Sequence, residues 1–337
     1  MHILKSNQGN KNHYSIFSAP ASAMLVGEYA VLYGYSAIAT AIDKRIFVSC
    51  AYRAHGQLFI NSSLIGQMNI SWSHLEQLSI TELKNHPFRF VLLSIQKFIK
   101  NKPRGMSIEI KSDFSHQVGL GSSAAVTVAT IAALMQLQGE IVVYKSIYYR
   151  ALHVVRRIQG MASGSDIAAS IAGGIIHYSA KPFFIKKLLD HFCLNLIYSG
   201  YKTPTTTLVE KINEAYQQSK AIYKDKFQKI AKCVIDTKLA LLSGDSMKLN
   251  QIFKQHHNIQ SFLNVSDETL NAMLDILDRD VGVMAAKISG AGLGDCVIIL
   301  GKVSKNTLHQ LKTMSNKINL LEVSSTKIGL RNEKKID

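Results

Sequence analysis

The sequence predicts an α+β protein of two packed halves, and three observations carry that prediction. At 337 residues the chain exceeds the usual size of a single hydrophobic core, and typical domain lengths give about two units. Short runs in the first half have the period-two alternation of strands, while the second half is dominated by long patterns of helical spacing. Strands and helices are thus mixed instead of strictly alternating, which is the α+β pattern. Hydrophobic residues make up 47% and charged residues 18%, so there is ample material for a core. The ends, Met1 to Asn12 and Arg331 to Asp337, are polar without periodicity and read as frayed.

Along the chain, Arg45-Ile46-Phe47-Val48-Ser49-Cys50-Ala51 is rich in β-formers and predicts a strand. Phe88 to Ile99 is apolar at helical spacing, and Pro87 just ahead of it suits a first helical turn, where no amide donor is lost. Met106, Ile108 and Ile110 alternate with Ser107, Glu109 and Lys111, the signature of a half-buried strand. Ser122 to Gln138 is alanine-rich and almost wholly apolar, hence a helix buried on most sides. A short apolar helix follows Asp166 and stops at Gly173-Gly174, ahead of a strand over Ile175 to Tyr178. Lys181-Pro182 then marks the expected boundary between an N-terminal unit, 13–182, and a C-terminal unit, 183–330. In the second unit, Cys193 to Tyr198, Cys296 to Leu300 and Ile318 to Val323 read as strands. Thr206 to Leu242, Ser246 to Leu263 and Leu308 to Met314 read as helices.

Composition narrows the function classes. No apolar run reaches the roughly 18 residues that cross a bilayer, and Met1 to Asn12 lacks the apolar core of a secretory signal, so a cytoplasmic protein without a membrane partner is expected. Cys50, Cys193, Cys233 and Cys296 are scattered, with no Cys-x-x-Cys pair, which fits a reducing compartment and gives no zinc-site spacing. The formal charge of +16 invites a nucleic-acid hypothesis. Its lysines and arginines form neither a block nor an aromatic-interleaved stripe, so no nucleic-acid partner is expected. Long-range attraction for small anionic substrates remains.

The densest chemical signal is Gly119-Leu120-Gly121-Ser122-Ser123-Ala124-Ala125, a glycine-serine bend running into the buried helix. Glycines let the backbone approach an anion, and the first helical amides and the helix dipole favour phosphate there. The alternative for each serine is a plain helix cap. Two further segments accompany it: Ala19-Pro20-Ala21-Ser22-Ala23-Met24-Leu25-Val26-Gly27-Glu28-Tyr29-Ala30-Val31-Leu32-Tyr33-Gly34 and Lys287-Ile288-Ser289-Gly290-Ala291-Gly292-Leu293-Gly294-Asp295-Cys296. In order and spacing the three motifs resemble the GHMP kinase superfamily, over roughly residues 15–325. Within it they are most similar to the mevalonate kinases, and next to the phosphomevalonate kinases. No segment has the Gly-x-x-x-x-Gly-Lys-Ser/Thr pattern of the commoner nucleotide fold.

The resemblance implies an N-terminal domain like ribosomal protein S5 domain 2, a ferredoxin-like C-terminal domain and an active site between them. It implies ATP and Mg²⁺, with Gly119, Leu120, Gly121, Ser122, Ser123 and Ala124 around the phosphates and Ser123 at the metal. Gln159 to Ser170 resembles the segment holding the catalytic aspartate, which makes Asp166 the expected general base and Lys202 the cation beside it. Ser22, Glu28, Tyr29, Thr207, Gly290, Ala291 and Gly292 are the expected substrate wall. The implied reaction is phosphorylation of the 5-hydroxyl of mevalonate for isoprenoid synthesis, by a protein whose partner is that small molecule; a homodimer is left open.

Two departures bear on this. Where many relatives have Pro-Gly-Lys, the chain has Pro20-Ala21-Ser22, and where many have a metal-binding glutamate it has Val155. Lys202 or Lys44 is the candidate replacement cation and Glu28 the candidate metal contact. Asp295 takes a glycine position of mevalonate kinases, as in some phosphomevalonate kinases. A phosphomevalonate acceptor, or a non-catalytic nucleotide-binding protein, are the rival readings. Tyr29, Tyr33 and Tyr35 are pocket or packing candidates, and His153 and His177 are given no catalytic role.

Overall fold

The computed structural model describes residues 14–54, 56–115 and 118–333. The elements run, in order, β1 (Tyr14–Val26), a 3-10 turn (Ala30–Tyr33), β2 (Ala37–Arg53), β3 (Leu58–Ser62), β4 (Gly66–Ile70), α1 (Trp72–Gln77), α2 (Ile80–Asn85), α3 (Arg89–Phe98), β5 (Gly105–Ser112), α4 (Ser122–Leu137), α5 (Tyr144–Gln159), α6 (Ser165–Ala172), β6 (Ile175–Ala180) and β7 (Phe183–Leu189). The second half contributes β8 (Leu194–Lys202), α7 (Thr205–Gln218), α8 (Lys220–Ser243), α9 (Ser246–Phe262), α10 (Glu268–Asp278), β9 (Val283–Ser289), β10 (Gly294–Gly301), α11 (Lys305–Met314) and β11 (Asn319–Leu321), before β12 (Arg331–Asn332).

Two sheets organise the molecule. The first orders its strands β12-β1-β2-β5-β3-β4, and the long β2 turns its early residues to β6, which carries β7. Ala19, Ala21 and Ala23 on β1 are buried beneath α4, whose own alanines let helix and strand approach closely. The second sheet has the order β11-β8-β10-β9, the βαββαβ arrangement of a ferredoxin-like layer. Leu270, Met273 and Leu277 of α10 and Leu311 of α11 pack on Ile197, Ile288, Val297 and Ile299. Ile298 and Leu300 point the other way, into one core with Val234, Phe253 and the first sheet. This shared core fixes the two halves against each other and holds the cleft between them.

Three expectations change. Pro87 precedes Phe88, the cap of α3, and so stands outside the first turn. The boundary expected at 182/183 cuts the β6–β7 hairpin, in which Ala180 pairs with Phe183; a turn-forming Lys-Pro signal marks a hairpin tip as readily as a domain edge. Arg331 is not frayed: β12 pairs with β1, Ser18 opposite Arg331. Residues 1–13 and 334–337, the rest of the expected loose ends, lie outside the described residues.

Residues 323–332 form a strap from the second sheet back to the first. Ser325 bridges Ile42, the Gly174 amide donates to the Thr326 carbonyl (2.6 Å), and that of Leu330 to Ile171 (3.2 Å). Buried Arg45 clamps it, donating to the Gly329 carbonyl (2.7 Å), the Ile328 carbonyl (3.1 Å) and Ser18 Oγ (2.8 Å). Arg45→Ala is expected to cost about 2–3 kcal/mol, the scale of lost hydrogen bonds to a charged donor. Urea unfolding measures it, and limited proteolysis should then cut first within 323–332.

Candidate active site

A cavity of about 860 Å³ opens between the two halves, and all three glycine motifs reach it. On one side α4 begins at Gly121, whose left-handed backbone (φ 64°) places the cap on a residue with no side chain. Ser122 and Ser123 therefore do not cap the helix. They line the cavity with Gly119, Leu120, Gly121 and Ala124, and the first amides of a helix have no intrahelical partner. The sequence locks this loop onto β1. The Ser22 amide donates to the Leu120 carbonyl (3.1 Å), and a methyl group on Gly121 would lie 2.2 Å from Ser22 Oγ.

Asp166 sits in the first turn of α6 on the same wall, and Ser22 Oγ donates to its Oδ1 at 3.3 Å. Burial raises its pKa above the usual aspartate value; the Ser22 hydrogen bond and the Lys202 charge oppose the shift, while Asp295 and Glu28 reinforce it. The loop before it is held by residues that sequence reading left unassigned. Tyr178 donates its hydroxyl to the Ser163 carbonyl, and a methyl on Gly164 would stand 2.5 Å from the Tyr148 hydroxyl. Tyr148 and Tyr178 are fully buried, so Asp166 is presented from a rigid floor.

The end of β8 brings Lys202 to the cavity, with its Nζ 3.6 Å from Asp295 Oδ1. Lys44 is not in the lining, so Lys202 is the candidate cation that faces Asp166. Glu28 also lines the cavity, yet it belongs to a buried cluster. Lys287 Nζ donates to its Oε1 at 2.6 Å, and neither side chain is more than 4% exposed. Burial pushes the Glu28 carboxyl up, but the Lys287 ammonium outweighs this and holds it below the usual range. His256 lies 3.3 Å from Oε2, but its Nε2 already accepts the Gly27 amide (3.3 Å). Burial and the Lys287 charge lower the His256 pKa to about 4, so the ring is neutral and Oε2 has no donor among the described residues.

The remaining expected residues divide. Tyr29 and Ala291 line the cavity and bind each other, the tyrosine hydroxyl donating to the Ala291 carbonyl, while Gly290 lies beside them. Thr207 does not reach the cavity: it is exposed on the outer face of α7, and Thr205 and Thr206 are in the lining instead. Successive helical residues point about 100° apart, so a one-residue offset is decisive. Gly292 is also off the lining; a methyl there would fall 2.1 Å from the Val265 carbonyl, so it seats the loop from behind. Tyr33 stacks on Phe227, with the Tyr216 ring tilted against it, and, like Tyr35, is packing. His177 is buried against Phe184 outside the cavity, and Val155 contributes an apolar wall. Asp295, left off the expected site, is in it. Its signal was a charged residue in a glycine run, where a buried carboxylate needs a reason.

Among the described residues no helix is long and apolar enough to cross a membrane. The family described as GHMP kinases N terminal domain matches residues 85–174, and GHMP kinases C terminal matches 238–313. The mevalonate kinase of Thermococcus gammatolerans is 30% identical over 333 residues, covering 95% of this chain and 98% of the relative. That of Archaeoglobus fulgidus is 31% identical over 293 residues, covering 86% and 93%. The crystal structure of the Methanococcus jannaschii mevalonate kinase superposes with a TM-score of 0.75 at 25% identity, over 94% of this chain and 99% of that one. The chain belongs to the GHMP kinase family.

Proposed function

We propose that the protein transfers the terminal phosphoryl group of ATP to the primary hydroxyl of mevalonate, giving 5-phosphomevalonate. One observation carries the reading: a carboxylate with a raised pKa, Asp166, shares a wall with the helix start formed by Gly119 to Ser123. The helix start suits the phosphates, and the raised pKa makes Asp166 a better proton acceptor than an ordinary aspartate. Asp166 takes the proton of the acceptor hydroxyl as its oxygen bonds to the terminal phosphorus and the bond to the ADP oxygen breaks. Ser22 fixes the rotamer of Asp166 through Oδ1. Lys202 supplies positive charge to the same wall. Mg²⁺ accompanying the nucleotide supplies charge neutralisation on the phosphates. Glu28, Asp295 and Ser123 all line the cavity, and their oxygens are of the kind that would hold it.

The names of the relatives select mevalonate as the acceptor. A phosphorylated acceptor calls for extra cations; Lys84 and Arg89 line the cavity beside Lys202, the lysine acting on Asp166, so the assay includes that acceptor. ADP release measured with mevalonate, phosphomevalonate, homoserine and galactose is expected to be stimulated by mevalonate alone. Stimulation by phosphomevalonate would transfer the assignment to the next enzyme class, and ATP binding without turnover on any acceptor would leave a binding protein.

A further inference from the structure

We propose that Asp295 is a direct ligand of the divalent cation that enters with the nucleotide, so that the third glycine motif holds metal as well as shaping the acceptor wall. The inference rests on the kinase reading above. Asp295 lies at the start of β10 with its backbone in the left-handed region, φ 67°, which glycine occupies freely and an aspartate occupies at a cost. Its side chain is only 7% exposed, in the cavity wall, and Oδ1 has no hydrogen-bond partner among the described residues. Lys202 is near at 3.6 Å, an ion-pair distance without a hydrogen bond. An enclosed carboxylate with an oxygen that makes no hydrogen bond is a poor packing element and a good ligand.

Its aim identifies the ligand. A methyl group on Gly119 would fall 1.7 Å from Asp295 Oδ1, so the carboxylate is in contact with the first residue of the phosphate loop. Bound phosphates would bring several negative charges close to Asp295, with Asp166 already adding to the field; Lys84 and Arg89 line the cavity too, but Lys202 is the cation whose charge acts on Asp295, and alone it does not balance that sum. A divalent cation between carboxylate and phosphate turns repulsion into coordination. The α5 wall offers no carboxylate: Val155 and Ile158 cannot ligate, and Gln159 brings only a neutral amide. Among the described residues no group of three or more histidine, cysteine, aspartate or glutamate side chains forms a metal site. That is expected of an ion held by one or two carboxylates plus substrate phosphates.

The test uses Mn²⁺ as the cation and the non-hydrolysable analogue adenosine 5′-(β,γ-imido)triphosphate, with free Mn²⁺ followed by electron paramagnetic resonance. Asp295→Asn, which keeps the shape and tolerates the left-handed backbone, should weaken Mn²⁺ in the ternary complex at least tenfold, the order lost when even an outer-shell partner is removed. Binding of the metal-free analogue, measured by calorimetry in EDTA, should stay equal or tighten, because a repelling charge is gone. Lys202→Met should not reproduce the metal defect; if it does, Asp295 serves the lysine and the proposal falls. Unchanged Mn²⁺ affinity in Asp295→Asn also overturns it. If wild-type protein fails to bind the analogue, the kinase reading itself fails, and this inference with it.

Discussion

Asp166→Asn is expected to lower turnover by about 10²- to 10⁴-fold, the range associated with a positioned general base, while leaving nucleotide binding intact. Asparagine keeps an oxygen that can accept from Ser22 Oγ, so the floor of the site need not move. What disappears is the proton acceptor. Burial, with repulsion from Asp295 and Glu28, raises the Asp166 pKa above 3.8, so ionisation costs more in the native protein than in the unfolded chain. The linkage then has an unusual sign for a carboxylate. A raised native pKa means that ionisation costs stability above it, so removing the charge should leave the melting temperature equal or higher. Reduced turnover with an undiminished melting temperature separates lost chemistry from misfolding. In the wild type, kcat/KM should fall as the pH drops through the raised value, an acid limb above the range of an exposed aspartate.

Lys287→Met is expected to have the largest effect on stability, roughly 3–5 kcal/mol, because it strands the Glu28 carboxylate in a dry interior. The pair spans the two halves: Glu28 follows β1 and Lys287 is on β9. A loss of that size corresponds to a fall in melting temperature on the order of 10 °C. The double substitution Lys287→Met with Glu28→Gln should restore most of it, since removing both charges also removes both desolvation costs. If the single and double variants melt together, the pair is not what holds this interface. Acid adds a second readout. His256, neutral in the fold with a pKa lowered to about 4, binds a proton more readily when unfolded, so stability should decline as pH falls from about 6.5 towards 4. Glu28, with a lowered native pKa, gives stability that is complete above its unfolded value of 4.5 and is lost below it.

What could be read from the sequence was local. The glycine-serine loop ahead of α4, the aspartate at the start of α6 and the elements carrying them are contiguous stretches whose composition dictates their backbone. What escaped was pairing at a distance. Glu28 and Lys287 are 259 residues apart, and nothing in the apolar surroundings of Lys287 announces a partner. Asp295 was visible as an oddity, but its contact with Gly119 exists only once β10 meets the phosphate loop. Thr207 was named from the resemblance, and a motif match does not give the rotational phase of α7, which turns that residue outward. The β6–β7 hairpin was misjudged because Lys-Pro reverses a chain in the same way inside a domain and between two.

The strap over residues 323–332 makes the first sheet depend on residues about 300 positions after its first strand. While the protein is being synthesised, the edge of β1 has no β12 and Arg45 has no carbonyls of Ile328 and Gly329 to bind. An open strand edge is the feature most prone to adhere to other chains. The nascent N-terminal half is thus exposed until residues 323–332 have been made, and a gene fragment ending at residue 182 should yield insoluble material instead of a separable nucleotide-binding module.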